Sequence, residues 1–263
     1  MKNLHKKQLR LSRRGFWLVC ALLVCLRLAL TSFQQAYTWV GGAPLDDELM
    51  FRAAQNITAG EWLGAYDYLT LSKAMFFPVW LALLHALHLP YLISGAALWC
   101  GAALLAAFAF STLWRKKDPA QGRVLTLGLF AALAFLPSSW AAYTLRVYRD
   151  NIFPALCLYF FAGMAGMALR AVFTPEKPLW PWLAAAGAGL ACGYLDREDA
   201  GLFLLPFAAA ATVIVAVVLA GKRRWKALAA QVIPYVMLGV GVLTFCTLNY
   251  THYGVFALSD FSE

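Results

Sequence analysis

Asp46, Asp47 and Glu48 stand side by side in a chain that carries only 13 acidic residues in 263. Carboxylates this close repel one another. They persist where they hold a cation, accept a proton or open a helix whose N-terminal dipole favours negative charge. Leu45, Leu49, Ala53 and Ile57 recur at helical spacing after Pro44, which predicts an amphipathic helix lying on a membrane. Glu48 and Arg52 fall at i and i+4, the spacing of a helical ion pair. On this segment alone, helix capping accounts for the acids at least as well as chemistry does.

Two further clusters mix both charges: Arg146-Val147-Tyr148-Arg149-Asp150-Asn151 and Asp196-Arg197-Glu198-Asp199. They read either as hydrated, self-neutralising loops or as parts of one site. Ionisable residues beside long apolar runs are costly and tend to mark function. A cleft holding both signs suits a reaction in which a carboxylate takes a proton from a hydroxyl nucleophile and cations hold an anionic leaving group. Lys73 either snorkels to the interface or holds a lipid phosphate at headgroup depth. The aromatic segment 60–66, with Trp62 and Tyr66, fits a membrane belt better than a ligand contact.

The elements that must position these residues are apolar. Hydrophobic residues make up 62% of the chain and charged residues 13%, the composition of a polytopic membrane protein. Apolar runs lie near 16–35, 74–89, 91–114, 124–140, 152–173, 179–195, 200–220 and 229–248. The run 74–89 is short, contains Pro78, His85 and His88, and fits a re-entrant or surface helix. With that run not crossing, 16 of the 22 basic residues share one side, at 1–15, 115–123, 170–178 and 222–226, and 11 of the 13 acids share the other. The positive-inside rule then gives an all-α polytopic protein of about seven transmembrane helices, with a cytoplasmic N-terminus and an extracytoplasmic loop and surface helix over 34–89. A loop of that length is usually functional. The net charge of +9 is therefore a topology signal and not a nucleic-acid footprint.

The basic N-terminus and first run read as an uncleaved span, because the run is long, contains Arg27 and lacks a clear cleavage site. Arg27 is expected to pair with an outer acid or to snorkel. The six cysteines lie in apolar runs with no CxxC spacing and read as small buried hydrophobes. His85 and His88 lack metal-ligand spacing with other histidines. Asn56-Ile57-Thr58 and Asn249-Tyr250-Thr251 match a glycosylation triplet, a pattern that arises often by chance.

In their order these motifs resemble the membrane-embedded half of the GT-C glycosyltransferases, a superfamily that includes protein O-mannosyltransferases and the transferases that move aminoarabinose onto lipid A. The resemblance runs from the basic N-terminus and first span to the acidic motif Pro44-Leu45-Asp46-Asp47-Glu48. It continues through Gly60-Glu61-Trp62, the segment from Lys73 to Pro78, Asp150 in Arg149-Asp150-Asn151, the turn Asp196-Arg197-Glu198-Asp199 after Gly193, and Pro206. It covers nearly the whole chain as one domain, 1–263, but each motif is short. The acidic motif has an extra aspartate, and Lys73 stands further from its proline than in the family pattern. The family usually continues beyond this point, so the chain reads as a fragment, a short member or half of a split protein.

The resemblance implies an inverting glycosyltransferase of a bacterial plasma membrane, moving a hexose or pentose from a polyprenyl-phosphate donor to a hydroxyl of a glycan, lipid or protein. Under it, Asp47 or Asp46 takes the acceptor proton, and Glu48 shapes the site or binds a divalent cation. Arg149, Arg197 and Lys73 hold the departing phosphate; Asp150 positions a sugar or an arginine, and Glu198 lines the substrate site. No cofactor besides that cation is implied. Two rival readings remain. A transporter requires charges buried in mid-span and paired repeats, which the sequence lacks apart from Arg27. A non-catalytic subunit docking a partner through its outer loop requires no dependence on the acids.

Overall fold

The computed structural model describes residues 11–39, 44–114 and 118–260. The basic residues Lys2, Lys6, Lys7 and Arg10, the basic stretch 115–117, the terminal residues 261–263 and the side chains of Pro44 and Leu45 lie outside the described residues. Among the described residues every regular element is a helix, and the β pairing is confined to an isolated parallel bridge between Tyr37 and Arg146.

Helix α1 (Arg13–Thr31) starts where the Ser12 hydroxyl accepts the Gly15 N–H at 3.0 Å. Helix α2 (Pro44–Ala59) occupies the long loop, as the periodicity predicts, and buries Leu49, Met50 and Ala53. It stops at Gly60, whose positive φ of 84° lets the Gly60 and Glu61 N–H groups return to the Ile57 and Asn56 carbonyls. Helix α3 (Phe76–Ala86) is apolar but only 11 residues long, roughly 16 Å against a hydrocarbon core of about 30 Å. Helix α4 (Tyr91–Trp114) follows, then α5 (Pro119–Ala134), opened by Asp118 accepting the Ala120 and Gln121 N–H groups.

The apolar run expected at 124–140 is not one helix. It breaks at Phe135 and continues as a 3-10 turn at Pro137–Trp140, because Pro137 has no N–H to donate. The short α6 (Ala142–Leu145) and a 3-10 turn at Arg149–Asn151 lead into α7 (Phe153–Phe173). Helix α8 (Trp180–Asp196), a 3-10 turn at Glu198–Ala200, α9 (Gly201–Gly221), the short α10 (Trp225–Ala230) and α11 (Ile233–Tyr253) complete the chain.

Five of these helices, α1, α4, α7, α9 and α11, are long and apolar enough to cross a membrane; α5 and α8, with 16 and 17 residues, are shorter. Leu18, Leu22, Leu26 and Leu30 of α1 and Val213, Ile214 and Val217 of α9 leave apolar faces uncovered by protein, as suits an integral membrane protein. The interior is built on close helix approach. A Cβ on Gly163 of α7 would lie 2.5 Å from the Ala186 nitrogen of α8, and one on Gly189 would lie 2.4 Å from the Phe160 nitrogen. Those two glycines let the backbones of α7 and α8 touch. That contact holds the turn before α7 against the turn after α8, and both turns carry charged clusters.

Candidate active site

The three clusters meet at one end of the bundle. Asp46 and Asp47 lie in the first turn of α2, and one residue is about 100° of rotation around a helix, so the two face different neighbours. Asp47 points inward and is 5% exposed. Its Oδ2 accepts the Trp39 N–H at 2.7 Å and Arg146 Nε at 3.1 Å, and its Oδ1 accepts Arg146 Nη2. Those bonds raise the Arg146 guanidinium further above its ordinary range, the Asp47 hydrogen bond being the largest cause. The Tyr37–Arg146 bridge, with N–H···O distances of 3.1 and 2.8 Å, fixes the segment from which Arg146 reaches.

Asp46 sits at the surface. Its Oδ2 accepts the Tyr148 hydroxyl at 3.2 Å and lies 3.7 Å from Lys73 Nζ. Behind it, Arg149 Nη2 donates to the Tyr148 oxygen at 2.8 Å, and Arg149 Nη1 donates to both Glu198 oxygens at 3.0 and 2.9 Å and to the Asp196 carbonyl at 3.0 Å. Burial raises the Tyr148 phenol, Arg149 lowers it in part and Asp46 raises it again; the net shift is upward, so the hydroxyl keeps its proton and donates to Asp46. Burial alone would raise the Glu198 carboxyl, but the Ala74 N–H, at 2.6 Å, and Arg149 outweigh it and hold Glu198 below its usual range. Glu198 thereby ties the backbone beside Lys73 to the turn after α8.

Of the sequence-predicted residues, the fold thus brings Asp46, Lys73, Arg149 and Glu198 into one chain of contacts through Tyr148. Arg149 is buried and spends both Nη groups on Tyr148, Glu198 and the Asp196 carbonyl, so it holds Tyr148 instead of facing solvent. Arg197 and Asp150 form a neighbouring network: Arg197 Nη1 donates to Asp150 at 3.3 Å and its Nε to Asp199 at 3.1 Å. Glu48 is exposed and makes no hydrogen bond or ion pair among the described residues. The expected Glu48–Arg52 pair does not form, because Arg52 Nη2 takes Asp67 at 3.0 Å instead. Tyr148, Arg146 and Asp196 were not singled out by residue type; their motifs were visible, but which acid each arginine would meet was not. Asp196 is fully buried, and among the described residues no donor reaches either carboxyl oxygen.

A divalent cation fits this site poorly. Asp46 and Glu48 are two residues apart on a helix and diverge, Asp47 is taken by Arg146, and among the described residues no group of three or more His, Cys, Asp or Glu could hold a metal ion. The Asn249 amide is not free, in keeping with a triplet that arises by chance. Asn249 is buried, its Oδ1 accepts Trp62 Nε1 at 2.8 Å, and its Nδ2 donates to the Ala257 carbonyl at 2.7 Å. Asn56 likewise spends its amide on the Leu63 carbonyl at 2.9 Å.

Two cavities flank the cluster, and Asp46 and Lys73 line neither. One is an apolar groove between α2 and α3, about 750 Å³ counted to its open mouth, bounded by Phe51, Ala54, Leu81, Leu84 and Leu89. The other surrounds Arg27. No family model, curated protein or solved structure matches the chain.

Proposed function

We propose that the chain is a membrane glycosyltransferase, taking a sugar from a polyprenyl-phosphate donor at the extracytoplasmic face and passing it to an acceptor hydroxyl. The observation that carries the proposal is the Asp46 carboxylate, held at the surface between Lys73 Nζ and the Tyr148 hydroxyl. A base and a cation within one contact are what glycosyl transfer from a lipid phosphate requires. The acceptor oxygen attacks the anomeric carbon, and the carbon–oxygen bond to the phosphate breaks. The phosphate leaves with the electron pair, and Asp46 takes the acceptor proton. Single displacement inverts the anomeric centre.

Lys73 and Arg197 hold the departing phosphate. Asp47 and Arg146 lock the start of α2, while Arg149 and Glu198 fix Tyr148 and Lys73. The apolar groove beside α2 suits the isoprenoid chain of the donor. Charge distribution supports seven spans: α5 and α8 join the five longer helices, at roughly 24 and 26 Å long, and α3 stays at the surface.

The test is transfer of radiolabelled sugar from polyprenyl-phosphate donors in membranes bearing the chain, compared with Asp46→Asn. Loss of transfer in a variant that still folds supports the assignment. Full transfer in that variant refutes it.

A further inference from the structure

The cavity around Arg27 has a feature the proposed reaction does not use. Arg27 lies in α1, four residues before its end and so about 6 Å from it. It is 2% exposed, so it does not snorkel, and no acid pairs with it among the described residues; the expected outer-acid partner is corrected on both counts. Its Nη2 donates to the Ser139 carbonyl at 2.7 Å, and its guanidinium carbon lies 3.4 Å from the Trp140 ring centroid. Neither partner carries negative charge. Nε and Nη1 have no hydrogen-bond acceptor among the described residues. A buried cation without a counter-charge is costly, and inside a membrane protein it marks a functional site.

The cavity wall includes the polar residues Thr31, Gln34, Ser138, Tyr143 and Asn151 among apolar ones. Asn151 Nδ2 donates to the Thr144 carbonyl at 2.7 Å, which leaves its Oδ1 unpartnered. A Cβ on Gly95 would lie 2.1 Å from that Oδ1, so glycine keeps the amide in place. Two nitrogens of Arg27 and the Oδ1 of Asn151 thus sit beside the cavity as buried polar atoms with no partner among the described residues. The segment from Thr144 to Asn151 walls two sites at once: Thr144, Leu145 and Asn151 line this cavity, while Arg146, Tyr148 and Arg149 reach Asp47, Asp46 and Glu198.

We infer that the Arg27 cavity is a second anion site, which takes a phosphate ester carrying a hydroxyl, as on a hydroxylated phospholipid headgroup. The inference does not depend on the glycosyl-transfer reading. The full chain in phosphatidylcholine nanodiscs is probed with trace spin-labelled phosphatidylglycerol or phosphatidylcholine, and the motionally restricted fraction is read by electron paramagnetic resonance. The wild type holds phosphatidylglycerol at least about tenfold more tightly than phosphatidylcholine, and Arg27→Gln abolishes that preference.

Thr31→Asp decides the matter if Arg27→Gln does not fold. Thr31 lines the same cavity one turn from Arg27, so a carboxylate there supplies the missing counter-charge and expels the ligand with Arg27 still present. Glycerol 3-phosphate added from solution separates the sources. Displacement of the labelled lipid shows that the site takes a free phosphate ester, and failure to displace shows that it takes the lipid form. An equal preference for phosphatidylglycerol in the wild type and Thr31→Asp overturns the inference.

Discussion

Asp47→Asn tests whether Asp47 is a structural anchor. The substitution keeps the shape of the side chain and an oxygen for the Trp39 N–H, but strips the counter-charge from Arg146. Breaking one side of a buried ion pair costs about 3–5 kcal/mol. Two features reduce that figure here. The Arg146 side chain is 18% exposed, and its guanidinium carbon lies 4.4 Å from the Tyr148 ring centroid, a contact worth about 1 kcal/mol. The expected loss is then about 2–4 kcal/mol, or roughly 5–10 °C in melting temperature for a chain of this size.

Thermal melting of purified protein in detergent reads the loss directly. Arg52→Ala is the control: its pair with Asp67 is 47% and 37% exposed, so it is worth less than about 1 kcal/mol. Adding Arg146→Met to Asp47→Asn removes the orphaned cation, and the double variant recovers most of the stability. A single variant that melts like the Arg52→Ala control, or a double variant that loses the sum of both, refutes the anchoring role.

Asp46→Asn is expected to lower sugar transfer by about 100-fold or more while melting close to wild type, the reverse of the Asp47 pattern; parallel losses in both assays would remove Asp46 from the chemistry. Glu198, held below its ordinary value of 4.5, stabilises the fold fully above that pH and loses its contribution as pH falls through its folded value. The melting gap between wild type and Glu198→Gln should therefore be widest near neutrality and close on acidification; a gap that widens in acid contradicts this sign. Gly189→Val pushes a side chain into the α7 backbone and is expected to cost about 1–3 kcal/mol, measured by melting, with no change if the helices stand further apart than 2.4 Å from that Cβ implies. Asp196→Asn replaces a buried carboxyl group whose oxygens meet no donor among the described residues and should melt at or above wild type; a clear drop would mean that the carboxyl group has a role of its own.

Most of the helices are legible in the sequence and several of their ends are too, although the run 124–140 splits at Phe135. Long apolar runs have no other way to satisfy their backbone in a membrane, and Ser12, Asp118 and Gly60 mark boundaries through local hydrogen bonds that need no distant partner. The three charged clusters were legible for the same reason, as polar breaks between apolar runs. The pairing within them was decided only by tertiary structure. Local spacing pointed Arg52 at Glu48, yet it meets Asp67, and Asp47 finds its partner 99 residues away in Arg146. Burial of Leu49, Met50 and Ala53 sets the rotation of α2, and that rotation turns Asp47 inward to Arg146 and leaves Asp46 facing Lys73 and Tyr148. Two adjacent aspartates are equivalent as letters. The roughly 100° between them on a helix, fixed by what its apolar face packs against, gives them different neighbours and different work.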